Sequence, residues 1–422
     1  MMQVFKFGGA SIKNAVAIRQ IAEIVKLHLS GKLFIVVSAM GKTTNKLEDL
    51  YEKAFHRQDF STVFHEIRNE HHVILHSLFP EPDQLIFKKV EGIFDTINRQ
   101  IHQIQAKSPD YDEGYDQVIP YGEILSTTII SDFLNDNGIK NQWLDAREVI
   151  KTDSNFRAAT VDWEKTKEMV RMNVTFHPAD VIITQGFIGS DANGHNTTLG
   201  REGSDYSGAI FANLLHAQSM TIWKDVPGIL NADPNLYEGK TEKIDELNYE
   251  EAIELSYFGA KIIHPKTIKP LQNKGIPLFV RSFSDIHAAG TIIHKDFAGE
   301  SLPRFMIIKK NQAVIKLSSK EFNFIQESHI SLVYQVLADN NLKVNIIQVF
   351  ALSIHLSVEN DMMRINSALK ELAVHFEAEV VEHLDFLTIR NFSRQDIAEM
   401  TQNNKVLLFE IGMRNAHFIL MP

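Results

Sequence analysis

Alternating strand and helix signals over the first 300 residues predict an α/β fold, a mostly parallel sheet sandwiched by helices. Three observations carry that expectation. Short apolar runs such as LFIVVSAM (33–40) and DVIITQGFIG (180–189) read as strands covered on both faces. Between them, apolar residues recur at helical spacing. Near Glu300–Arg304 the rhythm changes, so residues 1–298 and 299–422 are expected to form separate domains.

The elements follow in order. QVFKF (3–7) is a strand ending in Gly8–Gly9, and Ile18, Ile21, Ala22, Val25 and Leu29 mark a helix between Ile12 and Leu29. Ile86, Val90, Ile93, Ile97, Ile101 and Ile104 recur at three and four, a helical stripe that belongs in a core. MTIWKDV (220–226) and IPLFVRSF (276–283) are further buried strands. Asn248 with Glu251 reads as a capping box opening a helix that runs to Gly259. Beyond Arg304, QAVIKLSS, a helix at HISLVYQVLADNN, KVNIIQVFA, SIHLSVEN, a helix at DMMRINSALKEL and AEVVEHLDF spell β-α-β-β-α-β. That order predicts a ferredoxin-like unit at about 313–385. FLTIRN, a helix at RQDIAEMTQNN, VLLFEIG and AHFILMP begin a second such unit at about 386–422, curtailed by its last helix, with 304–310 as the candidate to complete it.

Composition narrows the function. The chain has 422 residues, 44% hydrophobic and 23% charged, an ordinary globular profile. Its 43 Lys+Arg against 53 Asp+Glu leave a net charge of −10, which disfavours nucleic acid or an anionic membrane as the main partner. Cysteine is absent, so disulfides, thiolate metal sites and a Cys nucleophile are excluded. MMQVFKFGGAS opens on a strand pattern rather than a signal-peptide core, and the expected location is the cytoplasm.

Several familiar signatures fail. Gly41–Lys42–Thr43 resembles the end of a P-loop, but Val36 stands where its first glycine belongs, and neither GxGxxG nor HExxH occurs. His71, His72 and His76 share a helix and read as a solvated surface rather than a metal site. What remains are polar residues at strand ends, where open α/β sheets bind ligands. Lys6 lies in an apolar strand, which is unusual for an unpaired Lys. Ser38, Thr44 and Asn45 follow the second strand, and Tyr121–Gly122–Glu123 opens a helix. TTLGREGSDYSGA (197–209) is a glycine turn entering a helix, yet its carboxylates Glu202 and Asp205 suit no phosphate.

KFGGAS (6–11), VVSAMGKTTN (36–45), YGEILST (121–127), TTLGREGSDYSGA (197–209), WKDVPGI (223–229) and SYFGAKIIHPKT (256–267) resemble, in order and spacing, the motif series of aspartate kinases. These belong to the amino-acid kinase superfamily, and the C-terminal units resemble its tandem ACT regulatory modules. The length is similar to that of monofunctional members. The resemblance implies the amino-acid kinase fold and phosphorylation of the L-aspartate β-carboxylate by ATP with Mg²⁺, the first step towards lysine, threonine and methionine. It implies Lys6 and Asp205 as catalytic residues, and Ser38, Thr44, Glu123, Arg201 and Ser204 around the acceptor. Lys6, Gly8, Gly9, Lys224, Asp225, Leu230, Asn235, Lys261 and Ile262 would hold the nucleotide, and no protein ligand of the metal is implied. Arg201 suits the α-carboxylate, Glu123 the α-ammonium, and Asp205 organises charge without accepting a proton, since the attacking carboxylate is already ionised.

Departures from the pattern sharpen these expectations. Ala10 stands where KFGGT is usual, Glu202 replaces a frequent Gly, Lys224 the usual Thr and Asn235 the usual Arg. Glu202 is expected to face solvent. VNIIQVF (344–350) lacks the VDLI-type carboxylate, so Asn345 is expected to leave lysine or threonine inhibition weak. ACT modules imply a homodimer and an amino-acid effector. The competing readings are a related kinase for glutamate, acetylglutamate or carbamate, and a non-catalytic amino-acid sensor.

Overall fold

A computed structural model describes residues 2–81, 84–107, 109–237, 241–260, 263–297, 302–320 and 323–421. The chain divides into two compact units, the first spanning 1–229, 243–256 and 261–299, the second 230–242, 257–260 and 300–422. Two short stretches before residue 299 therefore group with the C-terminal unit. Long-range hydrogen bonds tie them there: Asn231 Nδ2 donates to the Arg304 carbonyl (3.3 Å), and Lys309 Nζ donates to the Tyr257 carbonyl (3.3 Å).

The first unit is built on eight strands, β1 (Met2–Phe7), β2 (Lys32–Val37), β3 (Asn141–Leu144), β4 (Val181–Gln185), β5 (Ser219–Lys224), β6 (Glu246–Leu247), β7 (Leu278–Ser282) and β8 (Thr291–Ile293). Their order is β6-β8-β7-β5-β1-β2-β4-β3, and every neighbouring pair is parallel except β7 with β8. β1 is central, and the chain leaves it first towards β2 and later towards β5. That reversal opens a crevice at the carboxyl ends of the strands. Buried residues explain the continuous apolar runs: Phe5, Phe7 and Trp223 are at most 1% exposed, with the Phe7 and Trp223 rings stacked at 6.2 Å.

Helix boundaries follow local chemistry. The helix expected from Ile12 begins at Ala15, because the Asn14 side chain caps it by accepting from the Ala17 N–H (2.9 Å). The isoleucine stripe lies on the Leu85–Lys107 helix, with Ile86, Val90, Ile97, Ile101 and Ile104 all buried. Asn248 Oδ1 accepts from the Glu251 N–H (2.8 Å), and the helix it opens ends at Tyr257. The histidine trio differs from expectation. His71 is buried and donates through Nδ1 to the Ile67 carbonyl (2.8 Å), while His72 bonds the Glu91 carboxylate. The first contact lies within one helix and the second joins it to the Leu85–Lys107 helix, and no group of three His, Cys, Asp or Glu placed to hold a metal occurs among the described residues.

The second unit contains β9 (Phe305–Ser319), β10 (Val344–Val349), β11 (Ser353–Glu359), β12 (Phe376–Arg390), β13 (Val406–Ile411) and β14 (Asn415–Leu420), in the antiparallel order β10-β11-β9-β12-β14-β13. This is the antiparallel architecture of ACT modules. Sequence breaks read near 311 and 385 are absent as strand ends. β9 and β12 each run 15 residues, because Asn311 (φ 56°) and His383 (φ 57°) form bulges at which pairing shifts without stopping. Phe305–Lys309 consequently pair with Phe386–Arg390, on the C-terminal side of the bulge.

Candidate functional site

A cleft of about 500 Å³ lies in the first unit, and Lys6, Gly9, Ser38, Thr44, Glu123, Arg201, Ser204 and Asp205 all line it. Lys6 is the last residue but one of β1 and is 8% exposed; its Nζ lies 2.6 Å from Asp205 Oδ1. The contact is electrostatic, since Asp205 Oδ1 takes no aligned hydrogen bond. Burial alone would push the Asp205 carboxyl up, but the ammoniums of Lys6 and Lys224 hold it below the ordinary carboxylate range. Asp205 is therefore held in its ionised form.

The turn after β1 brings backbone close to backbone. A Cβ on Gly9 would meet the Ala39 carbonyl at 2.8 Å and the Gly41 carbonyl at 3.0 Å, so no larger residue fits. Gly8 is extended (φ −79°, ψ 164°), and a Cβ there would stand 3.4 Å from Lys6 Nζ, in the space before the ammonium. Ser11 Oγ donates to the Trp223 carbonyl (3.2 Å), tying this turn to β5.

Glu123 lies in the first turn of the Tyr121–Asp136 helix and is 3% exposed. One oxygen, Oε1, accepts from the Ala39 N–H (3.1 Å), whereas Oε2 has no hydrogen-bond partner. Burial raises its pKa to about 8, against the smaller opposing pull of the Ala39 N–H and the Lys6 charge. An acidic oxygen buried without a donor fits a cation that arrives with the ligand. Arg201 is exposed, and its guanidinium has no hydrogen bond or ion pair among the described residues. Ser38 and Thr44 are half-buried at the mouths of β2 and the Thr43–Phe55 helix.

Ser204 opens the Gly203–Leu214 helix against the end of β4, where a Cβ on Gly186 would stand 2.7 Å from Ser204 Cβ. Glu202, at φ 57°, takes the left-handed conformation that glycine prefers, at a cost of roughly 1 kcal/mol. Its side chain is exposed, as expected, but it also lines the cleft and approaches the Asp205 carboxyl. Lys224 ends β5 half-buried, Asp225 follows exposed, and neither is among the cleft-lining residues. Leu230 and Asn235 group with the second unit, where Asn235 N donates to Asp233 Oδ1 (2.9 Å). Lys261 and Ile262 lie outside the described residues.

Sequence reasoning missed part of the cleft wall. Asp116, fully buried, accepts from the Arg157 N–H (2.9 Å), the Thr198 N–H (2.8 Å) and Thr198 Oγ1 (2.7 Å), joining a loop of the wall to the short strand Asn196–Thr198. Arg157 lies over the Tyr115 ring at 4.6 Å and pairs with Asp112 (3.0 Å). Nothing local to DEGYDQV or SNFRAAT announces these contacts, which span 41 and 82 residues.

The family model described as "Amino acid kinase family" matches residues 1–282. The chain belongs to that family. Among amino acid kinase family relatives, lysine-sensitive aspartokinase 3 of Escherichia coli (strain K12) is 32% identical over 397 residues, covering 92% of this chain and 86% of the relative. The crystal structure of E. coli aspartokinase III in complex with aspartate and ADP (R-state) superposes with a TM-score of 0.84 at 28% identity, over 100% of this chain and 96% of that one. The same E. coli enzyme in complex with lysine and aspartate (T-state) gives 0.80 at 29% identity, over 99% and 95% of the two chains.

Proposed function

We infer that the protein is an aspartate kinase, transferring the γ-phosphoryl group of ATP to the β-carboxylate of L-aspartate. The product, 4-phospho-L-aspartate, opens the route to lysine, threonine and methionine. One observation carries the acceptor: the cleft sets a buried, half-satisfied carboxyl (Glu123) and an exposed guanidinium without a partner among the described residues (Arg201) around Lys6. That charge pattern complements a zwitterionic acid. Arg201 takes the α-carboxylate as a bidentate pair, Glu123 the α-ammonium, and Ser38, Thr44 and Ser204 orient the rest. The β-carboxylate attacks as an anion, so the site needs position and positive charge rather than a base. Lys6 supplies that charge where the phosphoryl group passes, and Gly8 and Gly9 leave room for phosphate oxygens.

Mg²⁺ arrives with ATP, held by phosphates and water. Asp225, Leu230, Asn235, Lys261 and Ile262 belong to the nucleotide side of the same reading. So do a cytoplasmic location, a homodimer and an amino-acid effector at the ACT modules. No helix among the described residues is long and apolar enough to cross a membrane. Hydroxamate trapping with ATP, Mg²⁺ and a panel of acids tests the reading. Signal with aspartate alone is expected; signal only with glutamate, acetylglutamate or carbamate, or with none, overturns it.

Glu123 makes the acceptor site pH-dependent. With a pKa of about 8 it is mostly protonated in the free enzyme at neutral pH, and a bound ammonium favours its ionised form. Aspartate binding therefore releases a proton, so the aspartate KM falls as pH rises from about 6 towards 8, by up to about tenfold per unit, and then levels. Glu123→Gln flattens that profile. Stability runs the other way: the folded state retains a proton that the unfolded chain gives up, so Glu123 costs stability as pH rises through this window. A wild-type aspartate KM unchanged between these pH values would overturn the pairing.

The effector reading has its own test. Asn345 Oδ1 accepts from Lys309 Nζ (3.2 Å) and its Nδ2 donates to Gln312 Oε1 (2.8 Å). The amide is occupied within the second unit and offers no carboxylate to an effector amine. Half-inhibition by lysine or threonine is expected only above about 1 mM; a submillimolar value with either contradicts this.

A further inference from the structure

The Asp116 carboxylate, on the Tyr111–Val118 helix, accepts three hydrogen bonds, and all three come from residues that line the cleft. Two fix Thr198, through its N–H (2.8 Å) and its hydroxyl (2.7 Å), and the third fixes the Arg157 N–H (2.9 Å). The Ala159 N–H donates to the Thr198 carbonyl (2.9 Å), so both backbone polar groups of Thr198 are held. Beyond Thr198 the chain makes a tight turn. Gly200 takes φ 73°, its carbonyl accepts from the Gly203 N–H (3.0 Å), and Arg201 is the turn's second residue. The exit of the turn is fixed by the Gly203–Leu214 helix. Its entry lies against the Arg157 segment, where a Cβ on Gly200 would meet the Arg157 carbonyl at 3.1 Å. One carboxylate therefore holds both the strand that leads into the Arg201 turn and the segment that backs it. Burial pushes that carboxyl up to about 6, short of neutrality, so at pH 7 and above the three bonds are charge-assisted.

We infer that Asp116 is a positioning residue of the acceptor site, acting through the turn that carries Arg201. This rests on the aspartate kinase reading above and deepens it. Asp116 is fully buried behind the wall and touches no acceptor itself. It sets the turn before the ligand arrives, so that aspartate binding does not have to order the loop on which Arg201 stands. A fork that must meet a carboxylate with two parallel bonds depends on such placement more than a point charge does.

The test is a double-mutant cycle on the full-length protein, read by steady-state kinetics with aspartate and MgATP at pH 8 alongside thermal melting. Asp116→Ala is expected to lower the aspartate kcat/KM roughly 10- to 30-fold, through KM, with kcat and the ATP KM within about threefold. In an Arg201→Ala background the same change is expected to lower it by no more than about twofold, because the turn then carries no guanidinium to place. Asp116→Asn is expected to recover most of the loss: its Oδ1 accepts from both N–H groups while its Nδ2 donates to the Thr198 hydroxyl. An active wild type whose Asp116→Ala variant keeps its aspartate KM within about twofold overturns the inference alone. An equal fall in both backgrounds also overturns it, since a general loosening of the fold would produce that result. So does Asp116→Asn no better than Asp116→Ala at equal melting temperature, because the hydrogen bonds would then not carry the effect. Where Asp116→Ala does not fold, Thr198→Val, which removes only the hydroxyl bond, takes its place in the cycle. Its expected fall is about three- to fivefold with Arg201 present and none without, and no fall with Arg201 present overturns the inference. A wild type without activity on any acid overturns the kinase reading and the inference together.

Discussion

Lys6→Ala is expected to lower kcat by roughly 10³-fold, the largest effect of any single substitution in the cleft. Two losses combine. On the proposed reading, the transferring phosphoryl group loses the cation at the carboxyl end of the central strand. Asp205, 1% exposed, also loses the ammonium 2.6 Å away that keeps it ionised. Removing one partner of a buried ion pair costs about 3–5 kcal/mol, so the variant also melts at lower temperature. The double variant Lys6→Ala/Asp205→Asn separates the two effects. It is expected to regain stability, because the buried carboxylate that lost its ion-pair partner is gone, and to remain inactive. Restored turnover in the double variant would show that Lys6 only neutralises Asp205.

Arg201→Ala is expected to raise the aspartate KM roughly 100-fold and to change kcat by no more than a few-fold. Its guanidinium is exposed and has no hydrogen bond or ion pair among the described residues, so its removal is expected to leave the melting temperature unchanged. This contrast with Lys6 is diagnostic: one arginine waits for a ligand, whereas the lysine is already part of a buried pair. Arg201→Lys should recover only part of the affinity, since a point charge cannot reproduce the bidentate fork. An unchanged aspartate KM in Arg201→Ala would remove Arg201 from the acceptor site.

Several groups of the cleft were legible because they sit at strand ends, and local periodicity locates strand ends. Lys6 before Gly8–Gly9, Ser38 after LFIVV and Asp205 at a helix entry are read from neighbours a few residues away. The alternation of strands and helices similarly indicated a parallel sheet before any contact was known, since parallel strands need a crossover between them. The change of rhythm beyond Arg304 indicated an antiparallel unit for the same local reasons.

Other features depended on pairings that local periodicity does not encode. The bulges at Asn311 and His383, which carry β9 and β12 past their expected ends, depend on partners some 70 residues away, as the 72-residue separation of His383 Nδ1 and Asn311 Oδ1 shows. Asn231, likewise, is drawn to the C-terminal unit by the Arg304 carbonyl, 73 residues on. By itself the sequence determined the fold class, the strand ends and the ordered motifs, because these follow from short-range spacing and residue type. Only the tertiary structure decided which charges are buried, paired or waiting. Glu123 shows why: its pKa of about 8 and its open oxygen follow from packing against Ala39, 84 residues earlier, and desolvation is a property of the assembled cleft rather than of YGEILST.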